Sequence, residues 1–140
     1  MADYNKFEAF VENLCEGVHN FASHTLKVML VNTAPVATNS IKSDLTEISS
    51  GNGYTAGGAT VTVSSSAQAS GTYTLVCADV VFTATGAIGP FRYAVLYNDS
   101  PTSPADPLIA WWDYGSSISL ANGETFTVDF DAVNGVFQLA

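Results

Sequence analysis

Residues Phe91 to Tyr114, FRYAVLYNDSPTSPADPLIAWWDY, decide how the rest of this 140-residue chain is read. Two apolar, aromatic runs flank a loop of Pro, Asp and Ser. Strand periodicity puts Phe91, Tyr93, Val95 and Tyr97 on one face of the first run and Arg92, Ala94 and Leu96 on the other. Both faces are largely apolar, so this strand belongs in the middle of a fold or between molecules. In the second run Leu108, Ala110 and Trp112 oppose Ile109, Trp111 and Asp113, which sends the tandem tryptophans to opposite sides. One tryptophan can enter the core, and the other needs a different home.

Working outward, short strands recur between turn signals on both sides of this stretch. Thr25 to Asn32 is β-branched and aliphatic with Lys27 as its only charge, and Thr33-Ala34-Pro35 ends it, so a central strand is expected there, with Val18 to Phe21 as a short partner. Val61 and Val63 alternate with Thr60 and Thr62, and Tyr73, Leu75 and Cys77 with Thr72, Thr74 and Val76. Val80 to Thr85 follows. Beyond Tyr114, Ile118 and Leu120 lead to Asn122-Gly123, after which Phe126, Val128 and Phe130 alternate with Thr127, Asp129 and Asp131; Asn134-Gly135 precedes Val136 to Leu139. The two Asn-Gly pairs predict type I′ hairpins, because both residues tolerate positive φ. The expected architecture is a mainly β, antiparallel β-sandwich of about eight or nine strands over residues 17–140. No internal repeat suggests a propeller or solenoid.

Residues 1–16 differ in period. Phe7, Phe10, Val11, Leu14 and Val18 follow a helical face, with Glu8, Glu12 and Glu16 opposite and Asp3 placed to cap, so a helix from about Tyr4 to Cys15 is expected, ending near Gly17. It serves either as a lid on the core or as an arm docked on a neighbouring subunit. Residues Ala34 to Ser50 hold a weak helical or irregular segment around Ile41, Leu45 and Ile48. The run GNGYTAGG, Gly51 to Gly58, matches neither phosphate-binding glycine pattern and lacks the strand-to-helix context such a loop needs. It reads instead as a tight surface loop presenting Tyr54.

Composition narrows the function classes. Hydrophobic residues make up 47% and charged residues 12%, a surface that favours an assembled state over a free monomer. The net charge is −9, divided −3 and −6 between residues 1–70 and 71–140. With Lys6, Lys27, Lys42 and Arg92 as the only fixed cations, the chain has no face to offer the phosphates of a nucleic acid. An acidic surface faces solvent or a partner that brings the positive charge. No apolar run reaches the roughly 18 residues that span a bilayer, and MADYNKFEAF has neither the basic region nor the apolar run of a secretory leader. Neither membrane nor secretion is expected.

Candidate chemistry is sparse. Cys15 and Cys77 have no metal-ligand spacing and read as free, buried thiols of a protein made in a reducing cytoplasm. Cys15 and His19 have i, i+4 spacing, but helical geometry would have to cross Gly17, so a structural thiol beside a surface histidine is expected rather than a nucleophile and base. Asp129 and Asp131 share a strand face, where carboxylates need no role beyond solvation, though an acid/base pair or a cation site has the same spacing. No enzyme activity, cofactor or resident metal is expected.

The blocks TLKVMLVNTAPVATNSIKSDLTEISSGNGYTAGGATV, GPFRYAVLYND, PLIAWWDYG and NGETFTVDFD resemble a family of small virion structural proteins of tailed bacteriophages, over nearly the whole chain. YTAGG and WWDYG are the most specific pieces. The resemblance implies a compact, jelly-roll-like β-sandwich acting as a capsid decoration or cement protein on the outside of the head, assembled in the host bacterial cytoplasm. Its partner would be the major capsid protein, with copies of this chain as dimers or trimers on the shell. A tail- or fibre-associated subunit and a carbohydrate-binding module are the alternatives. On that reading the contact residues would be Tyr4, Phe7, Tyr54, Arg92 and whichever of Trp111 and Trp112 faces outward.

Overall fold

The computed structural model describes residues 2–140. The chain is a mainly β antiparallel sandwich with one α-helix. In chain order the described residues form β1 (Asn5–Lys6), α1 (Glu8–Cys15), β2 (Leu26–Val31), β3 (Ala59–Val61), β4 (Val63–Ala69), β5 (Thr72–Cys77), β6 (Val80–Thr83), β7 (Ile88–Asn98), β8 (Leu108–Leu120), β9 (Thr125–Val128) and β10 (Phe137–Leu139). One sheet runs β1-β8-β7-β2-β3. A three-stranded sheet, β10-β5-β4, and a two-stranded one, β6-β9, complete the architecture. No helix among the described residues is long and apolar enough to cross a membrane.

β7 lies at the centre of the five-stranded sheet and is buried on both faces, as its sequence requires. Its inner face joins the main core, with Phe91, Ala94 and Leu96 packed among Leu26, Val28 and Leu30 of β2 and residues of the opposite layer. Its outer face, Val95 and Tyr97, forms a second cluster with Phe7, Met29, Val31 and Leu108, and Leu45 and Trp111 pack against it. The apolar surplus of Phe91 to Tyr114 is thus largely covered by the chain itself: by Phe7 before the helix and by Leu45 in the segment after β2. Lys42 lies 5.7 Å over the Tyr97 ring on the same side.

Strict alternation misassigns some residues because the β7–β8 ladder is irregular. Phe91 pairs with Ile118 but Tyr93 with Asp113, so β8 spends five residues where β7 spends two. Phe91 therefore enters the inner core and leaves the face of Tyr93 and Val95. Between Leu96 and Tyr97, β8 carries one extra residue, and both Ile109 and Ala110 turn inward. Beyond that bulge alternation resumes, and the tandem tryptophans do face opposite sides.

The expected helix begins late. Asn5 and Lys6 pair with Trp111 and Ala110 as an edge strand, so Asp3 is not the cap; Phe7 occupies that position in extended conformation, without a side-chain cap. Phe10 is buried in the main core and Leu14 packs against it, whereas Val11 is exposed and Phe7 goes to the other cluster. Through Phe10 and Leu14, α1 packs on the core of its own chain. Val18 to Phe21 is not a strand but a turn-bearing segment that inserts Phe21 into the core.

Neither Asn-Gly pair makes a type I′ hairpin, because neither Asn122 nor Asn134 has positive φ. Gly123 alone is left-handed in a turn between β8 and β9, strands that do not pair with each other. The I′ signature belongs to Ser70-Gly71, with φ of 52° and 83°, which joins β4 to β5. β4, VSSSAQA, is an exposed edge strand held by its ladder to β5 rather than by burial.

The Gly51 to Gly58 loop lies on the surface over most of its length, as expected, but it touches both layers and turns Tyr54 inward instead of presenting it. A Cβ at Gly58, where φ is 85°, would collide with the Val28 carbonyl of β2, and one at Gly53 with the Thr83 carbonyl of β6. On the second side Asn52 accepts from the Thr85 N–H at 2.9 Å and donates through Nδ2 to the Ala87 carbonyl at 2.8 Å. Tyr54 is consequently buried, 2% exposed, and finishes an incomplete strand edge. β3 covers β2 only from Leu26 to Val28; past it the Leu30 N–H donates to Tyr54 Oη at 3.1 Å and the Leu30 carbonyl accepts from Ile48. The Tyr54 hydroxyl in turn donates to Glu47 Oε2 at 2.6 Å, which also takes the Gly57 N–H at 2.7 Å.

Candidate functional site: an aromatic groove beside β9

A cavity of about 630 Å³ is an open groove between the β7–β8 hairpin and the segment from β9 to Val136. That volume suits a small ligand or a peptide segment. Trp112 forms one wall, with the Tyr4 ring 5.9 Å away and edge-on and the Phe130 ring 5.6 Å away from the other side. Phe126 bridges Phe91 in the core, at 4.9 Å, and exposed Tyr114 at the rim, at 5.7 Å. The wall is therefore continuous with the core, which fixes the aromatic rings. Desolvation by these neighbours pushes the Tyr4 hydroxyl up to about 12.

Charge along the groove is predominantly negative. Arg92 points into it but is held by Asp113 in a bidentate pair, Nε to Oδ1 at 2.7 Å and Nη2 to Oδ2 at 3.0 Å. That pair raises the guanidinium and lowers the Asp113 carboxyl, which also accepts the Gly115 N–H. Asp129 and Asp131 line the opposite wall. They do not share a strand face, since β9 ends at Val128 and Asp131 folds into a turn, accepting from the Val133 and Asn134 N–H groups at 2.8 Å. These backbone and side-chain donors hold the Asp131 carboxyl below the usual range. Among the described residues no group of three His, Cys, Asp or Glu side chains converges as a metal site.

Of the six expected contact residues, the groove gathers Tyr4, Arg92 and Trp112. Trp111 is half-buried on the opposite side of the sheet, 4.6 Å from the Phe7 ring. Phe7 and Tyr54 offer nothing to a partner: Phe7 is fully buried beneath Trp111, and Tyr54 is committed to β2 and Glu47. Tyr114, Phe126, Phe130 and Asp129 complete the groove and were not expected together. The alternation of Phe126, Val128 and Phe130 indicates a strand, but not that the opposing layer leaves its edge uncovered.

The cysteine and histidine do not form a site either. Cys15 is exposed at the helix end rather than buried, whereas Cys77 is buried in the core, where burial raises its thiol to about 11. His19 is buried rather than superficial. Its ring stacks on Phe21, and its Nδ1 accepts from Asn98 Nδ2 at 3.1 Å; His24 Nδ1 accepts from the same amide nitrogen at 3.0 Å. The Ser100 N–H donates to Asn98 Oδ1 at 3.1 Å, which fixes the amide orientation and turns its NH2 toward both neutral imidazoles. This is a structural polar core in which burial, then the charge of His24, depresses His19 to about 4. No family model, no curated protein and no solved structure matches the chain.

Proposed function

We propose that this chain is a non-enzymatic virion structural protein that decorates and cements the outer surface of a tailed-phage head, with the β9 groove as its contact with the major capsid protein. The supporting observation is that one open face brings together Tyr4, Arg92 and Trp112, the residue types that anchor protein interfaces, on a wall rigidly continuous with the core. Around that centre a standard contact covers about 800 Å² per partner. Binding the assembled shell better than its separated subunits stabilises the shell by linkage, and repetition multiplies modest contacts. Particles lacking the chain should assemble yet release DNA at lower temperature, and immunogold against the chain should mark heads. Label on tails with bare heads, or unchanged heat release, would overturn the reading.

A saccharide is the second reading, favoured by half-buried Trp112 and exposed Tyr114 beside the Asp129 carboxylate. Binding of the isolated protein on a glycan array would support it.

A further inference from the structure

The groove runs along a strand edge that the fold leaves open. β9 pairs with β6 on one side only. The Glu124 carbonyl accepts from Ala84, and the Phe130 N–H donates to Asp79 Oδ1 at 2.9 Å, so the even-numbered backbone groups of this segment point to the β6 side. By alternation the N–H and C=O groups of Thr125 and Thr127 point the other way, to the unpaired edge. Consecutive residues from Phe126 to Asp131, drawn from both faces of the strand, line the groove, as expected where a groove follows an edge.

Charge specifies the occupant. Asp3, Asp129 and Asp131 flank the groove without an ion pair among the described residues, while Arg92 is neutralised by Asp113. A second copy of this chain is poorly equipped to answer that charge: it carries −9 overall, Lys27 is paired with Asp99, Arg92 with Asp113, Lys42 lies over Tyr97, and Lys6 alone is left to meet three carboxylates. Trp112 and Tyr114 add aromatic faces that favour a cation or an aliphatic stem.

We infer that the groove takes an extended polypeptide segment bearing lysine or arginine, which adds as a third strand along the open edge of β9 and sets a basic side chain against Asp129 and Trp112. The inference rests on the decoration reading in one respect, that the segment belongs to the shell protein. Backbone hydrogen bonds to Thr125 and Thr127 supply the pairing, and alternate side chains of the segment meet the groove.

The test is an NMR titration of the isotope-labelled chain with a capped alternating Lys-Val hexapeptide, a Glu-Val hexapeptide and a neutral glucose hexamer. The lysine peptide alone should move the Thr125 and Thr127 amides and the Trp112 indole N–H, with affinity falling as salt rises. Thr127→Pro, which removes the edge donor, and Asp129→Lys should each weaken it at least fivefold while the melting temperature is held. Equal response to both peptides, shifts remote from β9, a response to the saccharide alone, or unaltered affinity of both variants would overturn the inference. Occupancy of the same variants on heads separates the two readings. Wild type on heads with undiminished variants sinks the groove and leaves decoration standing; bare heads sink decoration while the titration still decides the groove.

Discussion

Removing one oxygen from Tyr54 should cost this fold far more than its size suggests. In Tyr54→Phe the ring still fills the core beside Phe82, 5.8 Å away, so packing is retained. The Leu30 N–H, on a residue with no exposed surface, loses its acceptor, and Glu47 loses a short donor. Stranding a buried amide costs about 1–3 kcal/mol. Glu47 is half-exposed and keeps the Gly57 N–H, so water replaces much of its loss. The total is about 2–3 kcal/mol. An unfolding entropy of about 2.1 cal/mol/K per residue gives about 0.3 kcal/mol/K for this length, which converts the loss to about 7–10 °C in melting temperature. Thermal and urea unfolding of the two proteins measure it. Tyr73→Phe is the control, because its hydroxyl meets Ser66 at 2.7 Å on the partly solvated edge sheet, where water can substitute. A Tyr54→Phe shift no larger than the control's would refute the claim that this hydroxyl closes the edge of β2.

Three further outcomes follow from the same geometry. His19, depressed to about 4 from an unfolded value near 6.5, is the reverse of a histidine gaining an ion pair: stability is full above about pH 6.5 and declines as pH falls towards 4, by about 3 kcal/mol. Urea midpoints at pH 4.5 and 7 should show that slope, and His19→Gln should flatten it. Gly58→Ala, forced against the Val28 carbonyl at positive φ, should cost about 3 kcal/mol or more, read as lost soluble yield or a melting temperature lower by some 10 °C. Trp111→Ala should destabilise the free protein by uncovering Phe7, whereas Trp112→Ala, on the proposed decoration role, should also reduce occupancy on heads; equal occupancy of both variants at matched folded fraction would dismiss Trp112 as an anchor.

The sandwich was legible because Phe91 to Tyr97 is apolar on both faces, and a strand of that kind needs a layer on each side. What covers the outer face was not legible. The layer over Tyr97 and Val95 is largely irregular chain around Leu45 together with Phe7, and irregular chain has no period to read. β4 escaped because an exposed edge strand of Ser and Ala needs no apolar alternation when its hydrogen bonds and the Ser70-Gly71 turn define it. The Asn-Gly pairs misled because their turns connect different sheets, a tertiary property. For the groove, Trp112 and Arg92 were visible as residue types, but their meeting with Tyr4 and Asp129 depends on bulges in the β7–β8 ladder and on the solitary edge of β9.

The Gly51 to Gly58 loop touches β2 through Gly58 and Tyr54, and the second side through Gly53 and Asn52. A loop anchored on both sides couples their opening: the layers cannot separate there without releasing either Gly58 and Tyr54 or Gly53 and Asn52. Amide hydrogens of Leu30 and Thr85, on opposite sides of the loop, should then exchange at one common rate set by global unfolding, faster than that only if the loop can leave alone. A fold built this way would resist piecemeal loosening under heat and fail, when it fails, all at once.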